Sequence, residues 1–121
     1  MASLSLDLDN QWAYMKTHGD IGWQEFPSYL NRLNQLLLPR LASSNLRITV
    51  FVVGQDAALD KNRDALLAIS QAGHEIGNHS FHHQPWLGED SLDEVRAEIA
   101  NAERTIYAAT GREPIGFRGP G

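Results

Sequence analysis

The alternation of strand-like and helix-like segments limits what this 121-residue chain can fold into more than any other feature of it. Parallel strands cannot be joined by tight hairpins, so a repeated strand-helix-strand order implies crossover units and a parallel sheet. Leu4 to Asp9 sets apolar residues against Ser5, Asp7 and Asp9 with a period of two and is read as strand one. Arg47 to Val53 is rich in β-branched residues and reads as a buried second strand closed by Gly54, His74 to Asn78 as a third, and Ile115 to Arg118 as a fourth. Between them, Pro27 suits a first helical position, and Leu30, Leu33, Leu37 and Leu41 recur on a helical period that Pro39 should kink or divide. Asp60 to Gln71 reads as a helix ended by Gly73 in a left-handed cap.

The strongest helical signal runs from Ser91 to Thr110, opened by the capping-box pattern Ser91-Leu92-Asp93-Glu94 and closed by Gly111. Its apolar stripe of Leu92, Val95, Ile99, Ala102 and Ile106 faces a sheet, since it is too short for a coiled-coil seam. Asn10 to Phe26 carries Trp12, Tyr14, His18, Asp20 and Trp23 and is expected to be a long, functional loop. Right-handed crossovers through such units give a curved α/β sheet whose loops collect at the C-terminal ends of the strands.

Composition narrows the functional classes. The length allows one domain, residues 1–121, and a hydrophobic fraction of 42% is ordinary for a soluble protein. Without cysteine there is no disulfide framework, thiolate metal site or cysteine nucleophile. A net charge of −5 argues against nucleic acid or an anionic membrane surface as partner. No segment reaches the ~18 apolar residues of a membrane span, and no charged leader precedes strand one, so a cytoplasmic location is expected.

Against this background the string Gly73 to His83, GHEIGNHSFHH, stands out, because His79 and His83 are four apart just after an apolar segment. On a helix or on a strand that spacing puts two imidazoles on one face, although most such pairs are solvated loop residues. Strand alternation also puts Asp7 and Asp9 on one side. A carboxylate pair at a strand end beside a histidine pair suggests one oxygen ligand and one base, and an Asp-His-His set leaves positions open for water and substrate. His82 is expected to point elsewhere, and His74, inside a strand, to be a hydrogen-bonded structural residue. Trp12, Trp23 and Trp86 fit buried packing better than stacking on sugar rings.

The order Leu-Asp-Leu-Asp, then Ile48-Thr49-Val50-Phe51-Val52-Val53-Gly54, then GHEIGNHSFHH, then Phe117-Arg118-Gly119-Pro120-Gly121 resembles the polysaccharide deacetylases of carbohydrate esterase family four, the NodB-homology proteins. Many members have adjacent aspartates in the first motif. Here Leu8 separates them, as in the branch reading Asp-x-Asp, which includes peptidoglycan deacetylase-like proteins and relatives acting on cyclic amides. The resemblance implies an irregular (β/α)7-type barrel, of which this chain writes the N-terminal half, truncated after the third motif and open at a sheet edge that allows self-association. It implies Asp9, His79 and His83 as ligands of a divalent metal, most simply Zn2+, with Co2+ or another transition metal as alternatives. It further implies Asp7 as catalytic base and Arg118 as the guanidinium that pairs with Asp7 and tunes it. The general acid of the family, a histidine in a later Leu-x-x-His segment, and an aspartate that orients the arginine region are absent from this sequence. The activity implied is removal of N-acetyl groups from amino sugars of a glycan such as peptidoglycan, a chitin-like polymer or an exopolysaccharide. The rivals are hydrolysis of a cyclic or linear non-carbohydrate amide, and a non-catalytic metal- or glycan-binding fragment.

Overall fold

The computed structural model describes residues 1–121. Three parallel strands, β1 (Ser5–Leu8), β2 (Thr49–Val52) and β3 (Glu75–Asn78), form a sheet in the order β1-β2-β3. Asp7 pairs with Phe51, and Phe51 with Gly77, so those three residues share one face of the sheet. The alternate residues Leu8, Val50, Val52 and Ile76 point to the other face and are buried there.

That second face is covered by helices α2 (Leu30–Ser43), α4 (Asp60–Gln71) and α5 (Leu92–Thr110), which contribute Leu30, Leu41, Leu66, Ile69, Ala102 and Ile106 to a core with the sheet residues. The apolar stripe expected on the last helix is therefore only partly its buried stripe: Ala102 and Ile106 are buried, while Leu92 in the first turn is exposed. The capping box is present in full. Ser91 Oγ accepts from Glu94 N, the Glu94 side chain accepts from Ser91 N, and Gly111 closes the helix at φ 71°. The α/β architecture of parallel units follows the expectation from the sequence.

Local departures have physical reasons. Asn10 to Phe26 is not a plain loop: it holds α1 (Gln11–Thr17) and a 3-10 turn, Trp23–Glu25. Asn10 Oδ1 accepts from Gln11 N, and Trp12 and Ala13 pack with Val53, Trp23 and Phe26 in a small second core. A seven-residue helix is too short to write a readable period. Helix α2 starts at Leu30 rather than Pro27, and Pro39 lies inside it without dividing it, on an exposed side of the helix. Gly54 closes the second strand and also opens a short helix, α3 (Gly54–Ala57). A Cβ there would lie 2.7 Å from the Ala102 Cα, so glycine lets α3 and α5 touch. The fourth strand is reduced to a parallel bridge between Asn78 and Phe117. The segment nonetheless runs along β3 in order, Ile115 N donating to Ile76 O at 2.9 Å, Asn78 N to Gly116 O at 2.8 Å and Arg118 N to Asn78 O at 2.9 Å.

Candidate metal centre

The four motifs meet at the C-terminal ends of the strands. β1 ends in Leu8 and delivers Asp9, whose neighbour Asn10 is locked by donating its amide to Ser28 Oγ and to the buried Asp56. β3 ends in Asn78, and His79 extends its ladder by donating N–H to Val52 O at 2.9 Å. His79 and His83 then converge by a tight turn, with Ser80 at φ 64° and His83 at φ 54°, rather than along a helix or strand face. One ligand atom from each of Asp9, His79 and His83 lies within 4.8 Å of the others.

His79 Nδ1 contacts the Arg118 carbonyl at 2.6 Å, and because a carbonyl only accepts, Nδ1 carries the proton and Nε2 presents its lone pair to the site. His79 Nε2 stands 3.4 Å, and His83 Nε2 3.1 Å, from Asp9 Oδ1. Despite this closeness Asp9 Oδ1 is buried without an aligned hydrogen bond, and His83 Nδ1 is buried and unpartnered as well. Buried polar atoms are rarely left so. A carboxylate oxygen and two imidazole nitrogens converging in this way fit a divalent cation. Burial by itself would raise the Asp9 pKa, but the two imidazoles hold it well below the ordinary carboxylate range. Burial would likewise lower His79, yet Asp9, the Arg118 carbonyl and Asp7 together raise it.

Asp7 stands beside this group, its Oδ2 3.9 Å from His79 Nε2. Arg118 Nη1 donates to Asp7 Oδ1 at 2.8 Å and Nη2 to Ser5 Oγ at 2.9 Å, while the guanidinium carbon sits 4.2 Å from the Phe51 ring centroid. All five residues expected from the sequence, Asp7, Asp9, His79, His83 and Arg118, are therefore neighbours, though the chain separates them by up to 111 positions. A cavity of about 190 Å3 opens onto Asp7, Asp9, His79 and His83. Its further walls include Tyr14 on α1, His18 at the end of that helix, both within the segment expected to be functional, and Pro85, which carried no signal in the sequence. Tyr14 Oη lies 3.4 Å from Asp9 Oδ2, and the Asp9 charge, with burial, raises its pKa, so the hydroxyl stays a donor.

His74, His82, Trp12 and Trp23 follow the expectation from the sequence, whereas Trp86, expected to pack inside, is exposed. His74 is buried and its Nδ1 accepts from Ile48 N, and His82 turns away from the centre to pair with Glu98 on α5. Trp12 is buried and donates to Asp56 at 2.8 Å with Trp23 packed on it, leaving Trp86 as the half-exposed tryptophan.

Comparison with known proteins gives one consistent outcome. The sequence model described as polysaccharide deacetylase matches residues 20–121, a span that includes the histidine turn and Arg118 but not the two aspartates. A peptidoglycan-N-acetylglucosamine deacetylase of Bacillus cereus is 32% identical over 84 residues, covering 69% of this chain and 30% of the relative. A peptidoglycan-N-acetylmuramic acid deacetylase of Bacillus subtilis is 33% identical over 86 residues, covering 70% of this chain and 31% of the relative. The chain thus spans about a third of the length of these curated relatives. Among solved structures, a family 4 acetyl xylan esterase from Clostridium thermocellum in complex with a cobalt ion superposes with a TM-score of 0.71 at 29% identity, over 98% of this chain and 47% of that one. With the matched span, the parallel fold and an Asp-His-His centre in agreement, the chain belongs to the polysaccharide deacetylase family.

Proposed function

We propose that this chain carries the metal-holding and base-supplying part of a hydrolase that removes N-acetyl groups from the amino sugars of a glycan, such as peptidoglycan, a chitin-like polymer or an exopolysaccharide. The observation that carries this reading is the convergence of Asp9, His79 and His83 next to an Asp7 held by Arg118. A divalent ion bound by those three, most simply Zn2+, would lower the pKa of a water toward about 7 and polarise the acetyl carbonyl.

The chain's own residues do the rest. Arg118 occupies Asp7 Oδ1 and leaves Oδ2 on the His79 side to take a proton from the attacking water. The Nδ1–H of His79, tied to the Arg118 carbonyl, fixes the ring so that Nε2 remains a lone-pair donor. Addition of water to the amide carbon and collapse of the adduct release acetate and an amine, whose proton the family takes from a histidine in a later Leu-x-x-His segment. Residues 1–121 are read accordingly as the N-terminal portion of one deacetylase domain.

The relatives named for peptidoglycan sugars support an N-acetylated glycan as substrate. The Asp-x-Asp spacing of Asp7 and Asp9 supports, as a second reading, a cyclic or linear amide outside carbohydrates. Release of acetate from N-acetylglucosamine oligomers decides between them. Chelation should abolish that hydrolysis and added Zn2+ or Co2+ restore it, whereas stoichiometric metal binding without turnover would mark a non-catalytic fragment. Asp7→Asn should retain the metal and lose at least about a hundredfold in turnover. An Asp7→Asn protein of full activity would overturn the base assignment.

A further inference from the structure

The turn that carries His79 and His83 is held from outside the cavity by a carboxylate that the mechanism does not use. Ser80 and His83 both lie in the left-handed region, at φ 64° and 54°, a conformation that side chains other than glycine keep only where neighbours enforce it. Two successive N–H groups after such a residue form a concave anion site. Glu98, on α5 and 8% exposed, fills it: its Oε2 accepts from Phe81 N and from His82 N, each at 3.0 Å, and its Oε1 pairs with the His82 ring. Phe81 and His82 are two of the three residues between the histidine ligands. From the other side Gly54 N donates to Ser80 O at 2.9 Å and Gln55 N to Phe81 O at 3.0 Å, so the turn is gripped between α3 and α5. Burial would raise the Glu98 pKa, but the donors from His82 and Phe81 outweigh it and keep the group a carboxylate.

We propose that Glu98 is a positioning residue for the metal centre: by holding the N–H groups of Phe81 and His82 it sets the separation and aim of His79 and His83. This rests on the reading of Asp9, His79 and His83 as ligands. Outer partners of that kind typically carry tenfold or more in metal affinity.

Zn2+ and Co2+ affinities, measured by competition with a chromophoric chelator, and the visible spectrum of the Co2+ form test it, alongside thermal unfolding of the metal-free proteins. Glu98→Ala should bind at least about tenfold more weakly and shift the Co2+ bands. Glu98→Gln keeps an acceptor without the charge and should fall between. Ser91→Ala, which removes a cap of the same helix that bonds to Glu94 and not to the turn, should lower thermal stability and leave affinity and spectrum unchanged. A folded Glu98→Ala protein with wild-type affinity and spectrum overturns the proposal. Should that variant fail to fold, a Glu98→Gln protein indistinguishable from wild type overturns it equally. Wild-type protein that binds neither ion would instead defeat the ligand reading itself.

Discussion

At the scale of single residues, position in the fold rather than residue type separates function from packing. The carboxylates show this. Asp9 is drawn into the histidine pair, Asp7 is taken by Arg118, and Asp56 lies buried with its Oδ1 accepting from Asn10, Trp12 and Asn62. Strand alternation made Asp7 and Asp9 readable as a same-side pair, but nothing in the sequence around Asp56 or Glu98 marks either as a clamp, because the groups they hold, Asn10 and Trp12 for Asp56 and the Phe81 and His82 N–H groups for Glu98, are remote in the chain. Gly77 is a further unmarked case. A Cβ there would sit 2.4 Å from the Phe51 ring, and that ring is the platform on which Arg118 rests. Gly77→Ala should push Phe51 off the sheet, cost about 1–3 kcal/mol in denaturant unfolding and loosen the Arg118–Asp7 pair. Unfolding equal to wild type would show that the ring repacks without strain.

At the scale of elements, the parts with a complete local code were legible and those stabilised by distant contacts were not. α5 combines a capping box, a helical apolar stripe and a left-handed glycine stop, and each agrees with the next. Ser91→Ala removes one accepted N–H at the exposed helix start and should cost about 1 kcal/mol in urea unfolding, with the slope of the transition unchanged. A loss under a few tenths would mean that water replaces the cap. α1 shows the opposite case: Asn10 caps it and Trp12 anchors it to Asp56, so the helix depends on a buried carboxylate 44 positions away from Trp12. The segment after Gly111 runs beside β3 with three ladder bonds, yet pairs too briefly to count as a full strand.

At the scale of the whole molecule, helices cover one face of the parallel sheet, while the other face presents Asp7, Phe51 and Gly77 with the centre at its C-terminal end. No helix is long and apolar enough to cross a membrane. Because Asp9 and the histidine turn are separate stretches of chain, an ion bound to both would tie the folded state together and have no comparable site in the unfolded chain. Saturation at a hundred times the dissociation constant should add about 2.7 kcal/mol and raise the melting temperature, and a chelator should reverse the rise. A melting temperature indifferent to metal would argue that the three groups do not act as one site. The sequence by itself determined the alternation of strands and helices and the caps of α5, since periodicity and capping are local properties, and its motifs nominated the five residues that the fold brings together. Only the tertiary structure decided that β1 and β3 flank β2, that a strained turn rather than a helix face aims the two imidazoles, and that Glu98 lies behind that turn. Those facts depend on which distant segments pack together, and packing follows from burial across the whole chain rather than from any one stretch of it.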